Sequence, residues 1–257
     1  MIAKEKFNST LINSAGGKAV LSVKAHPDEK GIWELGGALK IKEADLKLDQ
    51  QKIPVENITA SIEFNRQGFS WEDTGFKYQG INYQSSGRLS DFRAPRVNLK
   101  LYSEGLSLAA DFDLAGGKIK VNQLKGKYLD SQFLVRGNID NSDSANPRVD
   151  LAGNINFELG NLGKLLDKQY PAIKSLRLAG QMEAQFNLSG NPYDLKNCYL
   201  QAKLASGNFS LYALSAQNLA MDFLLDQKIV RVPALSIVFY DGLIEGIGAL
   251  NLDTANL

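Results

Sequence analysis

The 257-residue chain has one cysteine, Cys198, and one histidine, His26. A single cysteine excludes an internal disulfide framework. A single histidine excludes a multi-histidine metal centre. Charge of either sign is also missing as a bulk property. Lys and Arg number 29 against 28 Asp and Glu, for a net charge of +1. That balance gives no electrostatic footprint for a nucleic-acid partner. No apolar run approaches the length of a membrane span. Residues Met1 to Phe7 are polar and lack the apolar segment of a signal peptide. Either the chain is cytosolic, or it is a piece of a longer, targeted protein. The segment from Gly248 to Leu257 stops inside an alternating pattern, which favours the second reading.

What the sequence has in abundance is alternation with a period of two. Ile58, Ala60, Ile62 and Phe64 alternate with Asn57, Thr59, Ser61 and Glu63. Val97, Leu99 and Leu101 alternate with Arg96, Asn98 and Lys100. Ile155 and Phe157, then Leu200, Ala202 and Leu204, then Leu250 and Leu252 repeat the pattern. Successive side chains of a strand point to opposite faces, so each segment is a strand with one apolar and one polar face. Antiparallel sheets accommodate such strands because one face can remain in water. The expected fold class is therefore all-β. Gly36-Gly37, Ser86-Gly87, Gly116-Gly117, Ser189 to Pro192 and Ser206 to Asn208 read as turns, and Asn141 to Pro147 as a polar loop. One stretch, 161–176, places Leu162, Leu165, Leu166 and Ile173 at helical spacing interrupted by Pro171. It predicts one or two short helical turns capping an apolar edge.

The pattern also recurs at a longer interval. Gly87-Arg88-Leu89 precedes Pro95-Arg96-Val97-Asn98-Leu99, and Gly137-Asn138-Ile139 precedes Pro147-Arg148-Val149-Asp150-Leu151. The two glycines are 50 residues apart. A looser copy contains Gly190-Asn191-Pro192. Such a period corresponds to several strands per unit and to a sheet that grows by adding similar units. The divisions suggested are about 1–50, 51–110, 111–160 and 177–257, within one elongated segment spanning 1–257.

Candidate chemistry is sparse. Asp111 and Asp113 share a strand face and read as solvated. Asp140 and Asp143 lie in a loop too poor in oxygen ligands for calcium. His26 reads as a surface turn, and no nucleophile motif accompanies it. Cys198 reads as a small half-buried residue. The glycine pairs precede no helix and so are hairpin turns, not phosphate loops. Four sequons, at Asn8, Asn57, Asn187 and Asn208, are short enough to match by chance. The cluster Phe69, Trp71, Phe76, Tyr78 and Tyr83 reads as ordinary sheet packing. No catalytic residue, metal or cofactor is expected.

Three stretches carry a family resemblance. The first is Leu124 to Ile139 (LKGKYLDSQFLVRGNI) running into Pro147 to Leu151 (PRVDL). The second is Leu176 to Gly190 (LRLAGQMEAQFNLSG). The third is Asn218 to Leu225 (NLAMDFLL) with Val232 to Gly248 (VPALSIVFYDGLIEGIG). Over residues 50–257 the chain resembles the AsmA-like proteins of the Gram-negative envelope, and more distantly the TamB-type repeating β-groove proteins. The resemblance implies a long curled antiparallel sheet and a non-enzymatic role in moving phospholipid between envelope membranes in support of outer-membrane biogenesis. It also implies a periplasmic location, with an inner-membrane anchor in a segment this chain lacks. The groove candidates are Ile58, Ile62, Phe64, Val97, Leu99, Leu101, Ile155, Phe157, Leu200 and Leu204, joined by Leu219, Met221, Phe223, Leu250 and Leu252. Membranes would be met through regions outside this chain, and exposed sheet edges could pair two copies. The alternative is a closed β-sandwich serving as a structural or protein-binding scaffold, since the same alternation marks two sheets packed face to face.

Overall fold

The computed structural model describes residues 12–27, 31, 33–48, 54–143, 146–161, 177–212 and 214–253. The described chain is all-β. Its strands are β1 (Ile12–Pro27), β2 (Trp33–Leu48), β3 (Val55–Asn65), β4 (Gly68–Tyr78), β5 (Ile81–Ser90), β6 (Arg96–Ser103), β7 (Leu106–Ala115) and β8 (Lys118–Tyr128). They continue as β9 (Ser131–Asp140), β10 (Arg148–Glu158), β11 (Ala179–Gly190), β12 (Cys198–Leu211), β13 (Leu214–Asp226), β14 (Ile229–Phe239) and β15 (Gly242–Asn251). Sheet order follows chain order from β1 to β15, so the sheet is open and antiparallel. A closed sandwich needs two sheets facing each other, and the strand order provides one. A single helical turn covers residues 159–161; the expected helical stretch, whose Leu162, Leu165, Leu166, Pro171 and Ile173 fall in 162–176, lies outside the described residues, as does the Asn8 sequon.

Two-residue hairpins make much of this order. Gln79-Gly80, Gly116-Gly117, Gln227-Lys228 and Tyr240-Asp241 each place both turn residues at positive φ. That conformation matches the right-handed twist of the flanking strands. The long-interval recurrence is a repeated hairpin. In β5–β6, Gly87 faces Leu99 and Leu89 faces Val97; in β9–β10, Gly137 faces Leu151 and Ile139 faces Val149. The third copy differs, because Gly190 ends β11 opposite Val149 and takes the place of Ile139 rather than of Gly137.

Three of the expected turns are corrected. Gly36-Gly37 lies within β2, Ser86-Gly87 within β5 and Ser206 to Asn208 within β12. The reason is visible at Gly87, which pairs with Trp71 across β4–β5. A Cβ there would lie 2.7 Å from Trp71 Cη2. Gly153 stands in the same relation to Phe186, at 2.9 Å. Both glycines are needed because an aromatic ring lies over their backbone. His26 is likewise in a strand and not a turn; it pairs with Glu34 at the exposed β1–β2 hairpin, with Nε2 3.5 Å from Glu34 Oε2.

The chain divides into two units, Met1–Ala109 and Ala110–Leu257. In the first, register shifts follow one another across neighbouring strands, with Gly17, Glu43, Asn57 and Asp73 at positive φ. In the second, shifts between Gly180 and Glu183 and between Gln217 and Ala220 flank the Ala205–Phe209 segment of β12. Each bulge adds an unpaired residue, bends its strand and increases local twist. Ser206 secures the second set. Its hydroxyl lies 2.6 Å from Gln181 O and 3.1 Å from Asn208 O, and it donates to one of them at a time.

Candidate functional site

The strand register sorts side chains into rows, because residues paired across antiparallel strands share a face. In the first unit one row is Leu21, Leu39, Ile62, Trp71, Gly87 and Leu99. The next is Val23, Gly37, Phe64, Phe69, Leu89 and Val97. Along β3 the opposite face carries exposed Asn57, Thr59, Ser61 and Glu63. The face is therefore apolar on one side only. Its aromatic part is packed side by side. Phe69 and Trp71 have ring centroids 5.8 Å apart, and Phe76 stacks on Tyr83 at 5.2 Å. Trp71 Nε1 donates to Ser85 Oγ at 3.0 Å, which satisfies the indole at the expense of one polar group on the face.

The second unit repeats the arrangement over more strands. One row is Phe133, Ile155, Ala184, Leu204, Met221, Leu235 and Gly246. Another is Val121, Gly137, Leu151, Leu188, Leu200, Leu225, Val230 and Leu250. Between them lie Val135, Gly153, Phe186, Ala202 and Phe223. Large and small residues alternate along this row, so each phenylalanine covers a glycine or alanine on the neighbouring strand.

What covers these faces is as informative as what forms them. Every substantial contact between described strands joins neighbours in chain order. No described side chain is fully buried. The buried apolar residues are mainly small or sit at bulges: Ala60, Ala110, Ala184, Ala216, Leu219 and Leu225 are among them. Apart from Val121 and Leu225, which are buried, the large residues of the rows are half-buried in the interior strands, and those in β1 and β15, Leu21, Val23 and Leu250, are exposed. A filled two-layer core would instead hide its large side chains completely.

The expected groove residues fall as follows. Ile58, Ile62, Phe64, Val97, Leu99 and Leu101 share the apolar face of the first unit. Ile155, Phe157, Leu200, Leu204, Leu219, Met221, Phe223 and Leu250 share that of the second. Leu252 lies past the end of β15, where its amide donates to Lys228 O at 3.0 Å. The rows also contain residues that alternation alone did not single out, among them Leu39, Trp71, Phe133, Phe186, Leu188 and Leu235. Met182, Ala184, Phe186 and Leu188 do alternate in the sequence, so β11 was legible on that signal.

The polar candidates have local structural roles. Asn122 Nδ2 donates to Asp111 Oδ1 at 3.2 Å and to Asp113 Oδ2 at 2.9 Å, so an amide clamps the two carboxylates. Asp140 accepts from the Ser142 hydroxyl and amide. These two bonds, with Lys118 nearby, hold its carboxyl below the usual value of 3.8. Asp143 accepts from Asn146 Nδ2 at 3.0 Å. Among the described residues, no three His, Cys, Asp or Glu side chains are grouped to hold a metal. Cys198 is buried rather than half-buried, and burial pushes its thiol pKa up. Among the described residues no helix is long and apolar enough to cross a membrane. Comparison with family models, curated proteins and solved structures gives no match for this chain.

Proposed function

We propose that the apolar sheet faces bind the acyl chains of phospholipid, and that the chain is a non-enzymatic lipid-binding and lipid-transfer module. The observation that carries this reading is the in-register apolar rows of each unit with no second layer of described strands upon them. Half-covered aromatic and aliphatic side chains leave apolar area whose burial is worth about 25 cal/mol per Å². An acyl chain burying about 200 Å² would thus contribute about 5 kcal/mol. The zwitterionic or anionic head group would stay in water at the sheet border. Along a row the apolar residues repeat at the strand spacing of about 4.8 Å, so a chain can shift from one apolar position to the next without a covalent step. The resemblance to the AsmA-like family supports the setting: the periplasm, attachment to the inner membrane through a segment other than these strands, and a contribution to outer-membrane biogenesis.

Purification in a mild detergent, followed by native mass spectrometry and solvent extraction, tests the reading. Phospholipid should be recovered in a defined ratio to protein. Recovery of no lipid, after reconstitution with excess phospholipid as well as on isolation, would reject it.

A further inference from the structure

The apolar face of the first unit ends at two adjoining turns that each carry an exposed arginine. In β3 and β4 the last apolar pair before the turn is Phe64 opposite Phe69. The ring of Phe92, in the loop after β5, lies 6.4 Å from that of Phe69 and is exposed. This border of the face is therefore aromatic. The turn beyond it is Arg66-Gln67. Asn65 holds that turn, its Oδ1 accepting from the Gln67 amide at 2.8 Å and the Gly68 amide at 3.1 Å. The loop that starts at Asp91 is fastened to it, because the Asp91 amide donates to Gln67 O at 2.6 Å. Asp91 Oδ1 in turn accepts from the Arg93 amide at 2.9 Å. Residues 65–96 are all described, and the Asp91–Gln67 bond makes the two turns direct neighbours.

Neither turn needs its arginine. Asn65 and Asp91 make the side-chain bonds that hold the backbone, and Arg66 and Arg93 are exposed. Among the described residues no carboxylate is ion-paired with either guanidinium. Segments 65–67 and 91–96 carry Arg66, Arg93 and Arg96 against one carboxylate, that of Asp91, so positive charge is in local excess. Arg66 stands two residues beyond Phe64, about 7 Å at the strand rise. An acyl chain laid along β3 and β4 and ending on Phe64, Phe69 and Phe92 thus brings its head group level with the two guanidiniums. A phosphodiester offers a pair of anionic oxygens, and the guanidinium fork matches that pair with two parallel hydrogen bonds.

We infer that Arg66 and Arg93 bind the phosphate of a phospholipid head group at this border. The inference rests on the acyl-binding reading of the faces and adds a recognition element to it. Both tryptophans, Trp33 and Trp71, belong to the first unit, so quenching of their emission by brominated acyl chains reports that face alone. The full chain is titrated in mild-detergent micelles with brominated phosphatidylglycerol and, separately, with diacylglycerol bearing the same brominated chains. The two probes differ only by the phosphate head group. In the wild type phosphatidylglycerol should reach half-quenching at a concentration at least about tenfold lower, the worth of one charge-assisted bond. Arg66→Gln/Arg93→Gln should bring the two values together by raising that of phosphatidylglycerol, with diacylglycerol and the melting temperature unchanged. Lys42→Gln/Lys47→Gln, an equal charge change at exposed positions of β2, should keep the wild-type ratio. A wild-type ratio near one, or a ratio that the arginine variant does not move, would overturn the assignment and leave the acyl-binding faces standing. An equal loss in the lysine variant would overturn it too, by reducing the effect to net charge. So would saturable binding of inorganic phosphate alone that the arginine variant abolishes, by assigning the turns to a free anion. Quenching by neither lipid would reject the acyl-binding face, and this site with it.

Discussion

Leu204 distinguishes an open apolar face from a filled core. It sits in the middle of a row between Ala184 and Met221 and is half-buried. Leu→Ala in a closed core costs about 2.7–5 kcal/mol, because a cavity term adds to the lost transfer energy. On a face without a layer above it, truncation leaves no enclosed cavity. Only the transfer term remains. Complete burial of a leucine side chain is worth about 1.5–3 kcal/mol, so half-burial puts Leu204→Ala near 1 kcal/mol. Leu204→Glu is the sharper perturbation. In a filled core an unpaired carboxylate would cost enough to unfold the unit, whereas on an open face it reaches water. The assay is urea denaturation of delipidated protein, followed by circular dichroism, with the slope held constant between variants. Adding phospholipid at about 100 times its dissociation constant should then raise wild-type stability by about 2.7 kcal/mol. Leu204→Glu should fold and forfeit that increment. A cost of about 3 kcal/mol or more for Leu204→Ala without lipid, or an unfolded Leu204→Glu, would refute the open-face reasoning.

Two further outcomes follow from particular contacts. Gly87→Ala drives a Cβ into the Trp71 ring and toward Asn98 O, so it should destabilise by about 1–3 kcal/mol as an overpacking change and disturb the indole bond to Ser85. In a Trp33→Phe background, Trp71 emission should shift to longer wavelength; unchanged emission and stability would contradict the packing of ring on glycine. Asp140 has a lowered folded-state pKa, caused first by the Ser142 hydroxyl, then by the Ser142 amide, with Lys118 adding to both. The stabilisation from such a group is present above the unfolded pKa and is lost as pH falls through the folded one. Asp140→Asn should therefore lose less stability than the wild type between pH 5 and pH 3, compared by urea midpoints; an equal drop in both proteins would count against it.

Much of the architecture was legible before any coordinates. The alternation at 58–64, 97–101 and 200–204 marked strands and assigned each residue to a face, since a period of two leaves no other choice. The recurrence at Gly87 and Gly137 marked a hairpin that is built twice. Glycine misled the reading wherever it serves packing and not turning. Nothing near Gly87 announces that the ring of Trp71, 16 positions earlier, will lie on it. That relation exists only once β4 and β5 are in register. The bulges at Glu43, Asn57 and Asp73 were equally hidden, because one inserted residue reverses the faces of everything beyond it.

The sequence by itself determined that this is a chain of strands, each apolar on one side, with too few histidines and cysteines for the usual metal and disulfide chemistry. Those properties are local, set by side-chain type and a spacing of two. The tertiary structure decided which apolar sides align, that they form continuous rows, and that chain-order pairing leaves those rows without a facing sheet among the described residues. Whether a hydrophobic side chain is core or surface depends on what lies across from it. That is a long-range relation, fixed here by register and strand order.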